Sequence, residues 1–439
     1  MQTNFTLEQL TNPDIREADS ILRKCVHCGF CTATCPTFVT LGDELDSPRG
    51  RIYLMKDMLE SGEPATETVR THLDRCLTCL SCMTTCPSGV DYGRLVEIGR
   101  AHVEETSTRP WADRMVRELL MRILPYPTRF RFALIAGALS KPFARFLPEG
   151  PLRALAGQAQ GFPAAPRPTD APGVKPAKAE RKKRVLLLTG CVQPALRPGI
   201  NEATIRLLTR LGVEVVIPKG QGCCGALPHH LSEEERAKAF AKANIKAWQP
   251  WLRAEDGVPL DGVIINASGC GTTVAEYGRI LAGDEEPGLV EDAERLAALS
   301  MDITVFLESL GALPDPAPEA DPQAKGFVVA YHAACSLQHG QKVREAPKAL
   351  LRSAGFAVRE IAESHLCCGS AGTYSILQAD LSQQLRERKV ANLEAEQPQA
   401  IAAGNIGCIS HIAGGTEVPV IHTVELLDWA LGGPKPEAL

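Results

Sequence analysis

Long apolar runs are missing from this 439-residue chain; the longest candidates are short stretches such as Phe132 to Leu139. A membrane-spanning helix needs about 18 or more consecutive apolar residues, so none is expected. The N-terminus, MQTNFTLEQL, lacks the basic segment and apolar core of a secretory leader, which predicts a cytoplasmic chain. Aromatics are scarce at 5%, leaving few platforms for stacked bases. A basic excess is missing too, with 47 Lys plus Arg against 52 Asp plus Glu and a net charge of -5, so nucleic acid is not an expected partner. No G-x4-G-K-[ST] string occurs. The G-x-G-x-x-G string Gly220 to Gly225 contains a cysteine pair and runs into Ala226-Leu227-Pro228, a poor start for a phosphate-binding helix. With no flavin or nicotinamide site legible, the chain has no acceptor for a hydride and is expected to carry electrons without starting a reaction.

What the chain does have is 16 cysteines. In a cytosolic setting these are metal ligands or redox groups more often than disulfide partners. Cys25, Cys28, Cys31 and Cys35 precede Pro36, and Cys76, Cys79, Cys82 and Cys86 precede Pro87, so the run C-x2-C-x2-C-x3-C-P occurs twice. It is the bacterial ferredoxin run, whose fourth cysteine ligates the other cluster. One 4Fe-4S cluster is therefore assigned to Cys25, Cys28, Cys31 and Cys86, and the second to Cys76, Cys79, Cys82 and Cys35. Zinc fits poorly, because it needs two pairs converging on one ion. His27, inside the first loop, is read as a surface or supporting residue.

Good helix formers over Arg51 to Glu60, stopped by Ser61-Gly62, and the segment Glu67 to Arg75 predict helices beside the cysteine loops. Arg49 and Arg51, in the turn Ser47-Pro48-Arg49-Gly50-Arg51, are read as solvated, with a role facing a cluster or a carboxylate as the sharper alternative. From Arg109 to Leu147 eight basic residues stand against two acidic ones, interleaved with Trp111, Met115, Phe130, Phe132 and Phe143. Such a stretch suits an anionic membrane face or a partner, and equally a helix pair packed on its own protein. Pro148 to Arg184, with seven prolines and four glycines, reads as a linker.

The remainder is an internal duplication. Val185-Leu186-Leu187-Leu188 runs into Cys191, and Phe327-Val328-Val329-Ala330 into Cys335. In each half, 32 positions separate that cysteine from a Cys-Cys-Gly triplet, Cys223-Cys224-Gly225 and Cys367-Cys368-Gly369. LLTRLGVEVV from Leu207 matches LLRSAGFAVR from Leu350, each a helix ending in glycine and then a strand. The halves close on Gly269-Cys270 and Gly407-Cys408, after the apolar runs Val263 to Ile265 and Ala400 to Ala402. Strand and helix in alternation imply α/β units with parallel sheets and ligands at the carboxyl ends of the strands. Each half thus offers four cysteines, Cys191, Cys223, Cys224 and Cys270 or Cys335, Cys367, Cys368 and Cys408, for a further iron-sulfur cluster, for zinc, or as a relict without metal. His332, His365 and His411 stand near the second set and could complete a zinc site, but are read as ordinary satisfied polar residues.

These motifs resemble the family of iron-sulfur subunits shared by glycolate oxidase, anaerobic glycerol-3-phosphate dehydrogenase, lactate utilisation proteins and heterodisulfide reductase. The resemblance covers about Asp19 to Leu431. Cys25-Val26-His27-Cys28-Gly29-Phe30-Cys31, Asp46 to Arg51, and Asn266-Ala267-Ser268-Gly269-Cys270 look most like the glycolate oxidase branch. It implies electron transfer from flavin (FAD) subunits that oxidise glycolate to glyoxylate, through the 4Fe-4S clusters, towards a quinone at the inner face of the cytoplasmic membrane, the chain being inactive alone. A lactate or glycerol 3-phosphate dehydrogenase is the alternative; a zinc-binding scaffold or redox sensor is one from another class. Where the heterodisulfide reductase branch ends each repeat in C-x2-C, this chain has Ala267 and Asn405 in the first cysteine's place, which argues against a five-cysteine centre. The expected architecture is α+β and multidomain: a helical two-cluster ferredoxin domain (1–108), a basic amphipathic segment (109–147), a Pro/Ala-rich linker (148–184) and two cysteine-rich α/β repeats (185–312 and 313–439).

Overall fold

The computed structural model describes residues 1–140, 161–314 and 320–439. The N-terminal part is helical: α1 (Pro13–Lys24), α2 (Pro36–Leu41), α3 (Pro48–Ser61), α4 (Glu67–Asp74), α5 (Ser81–Thr85) and α6 (Tyr92–Thr106). Local chemistry sets these boundaries. Proline opens α1, α2 and α3, where its fixed φ suits the first turn and its missing N–H costs nothing. The side chains of Asn12, Ser47, Thr66 and Asp91 accept from backbone N–H groups at the starts of α1, α3, α4 and α6. The helices close on a core that includes Leu22, Met55, Leu59, Leu73, Leu95 and Val96. Cys25 to Cys35 form the loop between α1 and α2, while Cys76 and Cys79 lie between α4 and α5, with Cys82 on α5 and Cys86 just after it. Helices α7 (Trp111–Ile123) and α8 (Pro127–Ser140) follow; Lys141, Phe143 and Arg145 of the expected basic segment lie outside the described residues.

Two parallel sheets make up the rest. In the first, β2 (Lys183–Leu188), β3 (Val213–Ile217), β4 (Gly262–Ile265) and β5 (Ser300–Asp302) lie in the order β3-β2-β4-β5. In the second, β6 (Val328–His332), β7 (Ala357–Glu360), β8 (Ala400–Ala403) and β9 (Val420–His422) lie in the order β7-β6-β8-β9. The order is the same, so the duplication read from the cysteines is a duplication of topology. Alternation along β2 separates two cores: Val185 and Leu187 join a core shared with the second sheet, whereas Leu186 and Leu188 pack against Trp248 and Tyr277.

Part of the expected linker, residues 161–184, is structured: β1 (Gly173–Lys175) adds an antiparallel edge to β3. Pro172 and Pro176 flank this strand and bias the chain to extended backbone, and an edge position needs hydrogen bonds on one side only. A composition rich in proline and alanine hides so short a strand. The linker's first residues, 148–160, are not among those described.

The repeats lock together through polar contacts at the strand ends. His422 donates from Nε2 to the Asn266 carbonyl (2.8 Å) while its Nδ1 accepts from the Val424 N–H (3.1 Å). Ser268 and Ser336 hydroxyls meet at 2.7 Å, and Arg206 pairs with buried Asp428 at 2.8 Å.

Candidate iron-sulfur and cysteine-rich centres

All sixteen cysteines are free of disulfides and collect into four sets. Cys25, Cys28, Cys31 and Cys86 line one cavity with His27, Gly29, Arg49 and Tyr92. Gly29 has φ +83°, and a Cβ there would lie 2.8 Å from Arg49, so the loop turns where only glycine fits. Cys28 is exposed, with Val26 and Phe30 beside it, each more than 60% exposed. His27 packs edge-on against Tyr53, and its buried Nδ1 has no hydrogen-bond partner.

The second set lies deeper. Cys35, Cys76, Cys79 and Cys82 are all buried; burial above all pushes the thiol pKa values of Cys79 and Cys82 up, and neighbouring sulfurs add to it, Cys335 for Cys79, Cys79 for Cys82, and Cys35 and Cys76 for both. Arg51 is buried against this set, contrary to the solvated reading. Its guanidinium reaches Cys35 Sγ (3.8 Å), Thr37 Oγ1 (3.0 Å), the His72 carbonyl (2.7 Å) and the Asp46 carboxylate (3.1 Å). Asp46, fully buried, also meets His72 Nδ1 (3.0 Å) and Arg75 (2.9 Å). Arg100 donates to the carbonyls of Leu73 (2.9 Å) and Cys76 (2.6 Å). Burial opposes ionisation of Cys76, yet the Arg51 and Arg100 cations outweigh it and pull the thiol below its ordinary range. Arg51 and Asp46 could be suspected from their place in the Asp46 to Arg51 run; no local signal marks Tyr92 or Arg100, which reach the cysteines through tertiary packing.

The third and fourth sets are built alike at the carboxyl ends of the two sheets. Cys191 follows β2, Cys223 and Cys224 follow β3, and Cys270 lies on the helix after β4. Cys335, Cys367, Cys368 and Cys408 take the matching places in the second sheet, with Cys335 and Cys367 sulfurs 3.8 Å apart. In each triplet the glycine N–H points at the first cysteine: Gly225 to Cys223 Sγ and Gly369 to Cys367 Sγ, both 3.4 Å. Gly225 and Gly369 have φ of +88° and +92°, and the left-handed backbone is what turns the amide inward. Asn244 and Tyr277 hold the first triplet, donating to the carbonyls of Cys223 and Cys224 (both 2.8 Å).

Histidines of the second repeat diverge. His411 meets Ser382 Oγ (3.2 Å), but neither ring nitrogen of His332 has a hydrogen-bond partner, although the residue is 1% exposed. His332 lies with Cys368 and Cys408, their ligand atoms all within 4.8 Å of one another. The expectation of a satisfied polar residue fails at His332.

The inner ferredoxin set and the second repeat share one packed cluster, in which Cys79 and Leu77 meet Cys367, Tyr374, Leu381 and Leu385, with Cys335 against them. Tyr374 donates to the Arg75 carbonyl (3.1 Å), and Thr84 Oγ1 meets His339 Nδ1 (2.8 Å). A cavity of about 1350 Å³ then joins this region to the first repeat, its walls carrying cysteines of both repeats, Cys76, and side chains of α7 and α8. These residues suit iron-sulfur groups: four sets of free sulfur donors, each gathered from separate loops, and most of them buried or partly buried where an isolated thiolate would be costly and a metal ion would supply the counter-charge.

Comparisons agree. The 4Fe-4S dicluster domain family matches residues 21–90, and the cysteine-rich domain family matches 185–275 and 329–413. The chain is 44% identical to the glycolate oxidase iron-sulfur subunit of Escherichia coli (strain K12), over 98% of this chain and 99% of that one. It is 32% identical to the probable glycolate oxidase iron-sulfur subunit of Bacillus subtilis (strain 168), again over 98% and 99%. Lactate utilization protein A of Geobacillus thermodenitrificans is 27% identical over 56% of this chain and 98% of its own. A crystal structure of a hypothetical protein from Helicobacter pylori shares the fold, with a TM-score of 0.55 at 9% identity, over 97% of this chain and 74% of that one. With an N-terminal 4Fe-4S dicluster domain followed by a duplicated cysteine-rich domain, this chain belongs to the family of glycolate oxidase iron-sulfur subunits.

Proposed function

We propose that the chain is the electron-transfer subunit of a glycolate-oxidising dehydrogenase, in which flavin (FAD) partner subunits convert glycolate to glyoxylate. The observation that carries the reading is the continuity of sulfur sites, from exposed Cys28 through the buried inner set to Cys335 and Cys367 of the second repeat. When bound, 4Fe-4S groups take up and release single electrons, which divides the two-electron oxidation of an alcohol into steps a quinone can accept. Cys25, Cys28, Cys31 and Cys86 hold the outer group, where the exposed Val26 and Phe30 offer a surface for the flavin partner. Cys76, Cys79, Cys82 and Cys35 hold the inner one. Arg51 and Arg100 place positive charge beside it and favour its reduced form. Either of the cysteine-rich repeats then hands electrons on.

The glycolate reading is preferred to lactate because the glycolate oxidase relatives align over 98% of the chain, against 56% for the lactate utilization protein. Peripheral attachment at the inner face of the membrane rests on α7 and α8, which expose Trp111, Met115, Phe132 and Leu139.

Anaerobic purification tests the reading. The chain alone is expected to contain about eight irons or more, to show 4Fe-4S EPR signals, and to oxidise no glycolate until the flavoprotein subunits are added. Zinc in place of iron, or glycolate oxidation without a flavoprotein, overturns it.

A further inference from the structure

The two repeats share a sheet order, a triplet and a closing cysteine, yet their sulfur sites differ at a position at the end of the first strand of each sheet. Register pairs Leu188 with Ile265 across β2 and β4, and His332 with Ala403 across β6 and β8, so His332 stands where the first repeat has Leu188. Leu188 packs among Cys223, Cys224 and apolar neighbours, as an apolar side chain should. His332 brings two polar nitrogens to the same place. Both are buried and neither has a partner, whereas buried imidazoles elsewhere in the chain, such as His422, use their nitrogens. Buried polar atoms are overwhelmingly paired, so an orphaned imidazole beside two sulfurs needs an explanation in what it faces. It faces Cys368 and Cys408, at ligand-atom separations within 4.8 Å.

We propose that His332 is a nitrogen ligand of an iron-sulfur centre held by Cys335, Cys367, Cys368 and Cys408, so that the second repeat carries a mixed imidazole and thiolate centre and the first repeat thiolates alone. The inference rests on the reading that the second repeat holds metal. Five donors are gathered there, one more than a tetrahedral structural zinc uses, which favours a centre with more than one iron. Asn405, which stands where the heterodisulfide reductase branch carries a fifth cysteine, accepts from the Gly407 N–H, so the fifth donor comes from β6 rather than from the loop after β8. Replacing thiolate by neutral imidazole raises the reduction potential of an iron-sulfur centre. The second repeat adjoins the inner ferredoxin set through Cys79. A higher potential there makes electron flow out of the ferredoxin domain downhill, and assigns the duplicated halves different tasks.

The experiment uses the full chain, purified anaerobically with 14N- or 15N-labelled histidine, as wild type, His332→Leu and His332→Cys. Pulsed EPR of the wild type is expected to show a centre beyond the two ferredoxin clusters with a directly bound nitrogen whose coupling changes with the histidine isotope. His332→Leu, which copies the first repeat, loses that coupling and lowers the iron content, with the two ferredoxin signals unchanged as evidence that the chain is folded. His332→Cys keeps the iron, lacks the nitrogen coupling, and shows a lowered midpoint for that centre. A third centre with no histidine coupling, or one whose coupling survives in both variants, overturns the role of His332. Iron no greater than the two ferredoxin clusters account for overturns the underlying reading of the second repeat as well.

Discussion

Gly225 and Gly369 occupy matching turns but differ in how tightly they are enclosed. A Cβ on Gly369 would lie 2.5 Å from the Ser382 carbonyl oxygen, whereas one on Gly225 would lie 3.2 Å from that of Ala237. Alanine in the left-handed region costs about 1–2 kcal/mol at either site, and the overlap at Gly369 adds about 1–3 kcal/mol. Gly369→Ala is therefore expected to lower the thermal midpoint of the full chain more than Gly225→Ala does; equal shifts would contradict the difference in packing. Arg51 is the second residue whose environment decides its effect. Arg51→Gln removes a cation 3.8 Å from Cys35 Sγ and leaves Asp46 with His72 and Arg75. Electrostatics then predicts a lower midpoint potential for the inner 4Fe-4S group and little change in the outer one, read by EPR-monitored redox titration. Because Asp46 keeps His72 and Arg75, the loss of stability is expected to stay below the ~3–5 kcal/mol of a buried charge left without a partner. The role of Arg51 was half legible, because the motif drew attention to it, but burial beside sulfur depends on α4 and the loop at Asp46 folding over it.

At the scale of elements, helices were readable and their surroundings were not. The residues expected as helices, Arg51 to Glu60 and Glu67 to Arg75, lie in or overlap α3 and α4. The basic character of α7 and α8 left a membrane face and a helix pair packed on its own protein equally open, and the second is seen. Arg109 pairs with Asp74 (2.6 Å) and Glu104 (2.6 Å), and Arg117 with Asp113 (3.1 Å). Arg131 donates to the Pro194 carbonyl (2.6 Å). Much of the positive charge thus holds the helices to their own protein, and Val116 and Leu120 pack against Ile376. What is left outward is mixed: Trp111 is 71% exposed and Phe132 68%, beside the exposed Arg114, Arg122 and Arg129. The double variant Trp111→Ser with Phe132→Ser is expected to keep the iron content and lose binding to anionic vesicles in a sedimentation assay. Unchanged binding would remove these helices from the proposed membrane attachment.

For the whole molecule, the joint between the repeats sets an acid limit on stability. Burial lowers the pKa of His422 to about 4, with its hydrogen bond to the Asn266 carbonyl opposing that shift. The unfolded chain takes up a proton near the ordinary value of 6.5, so between 6.5 and 4 it binds more protons than the folded one. The contribution is complete above 6.5, falls as the pH drops, and amounts to a loss on the order of 3 kcal/mol once the pH reaches the folded value. His422→Gln is expected to flatten this part of the thermal midpoint against pH profile, and a slope identical to wild type would place the acid sensitivity elsewhere.

The sequence by itself determined the chemistry and the period of this protein. Cysteine spacing names sulfur sites because thiolates on a tight loop can reach one cluster only at certain separations, and a 32-position interval occurring twice discloses a duplicated unit because helix and strand lengths conserve distance along the chain. Only the tertiary structure decided which sites adjoin, that Arg51 is buried against sulfur, and that His332 faces Cys368 and Cys408 without a partner. The physical reason is separation in sequence. Cys79 and Cys367 lie in different domains, and their contact arises from the burial of Leu77, Tyr374 and Leu385, apolar residues whose pattern says that they will be covered but not by what.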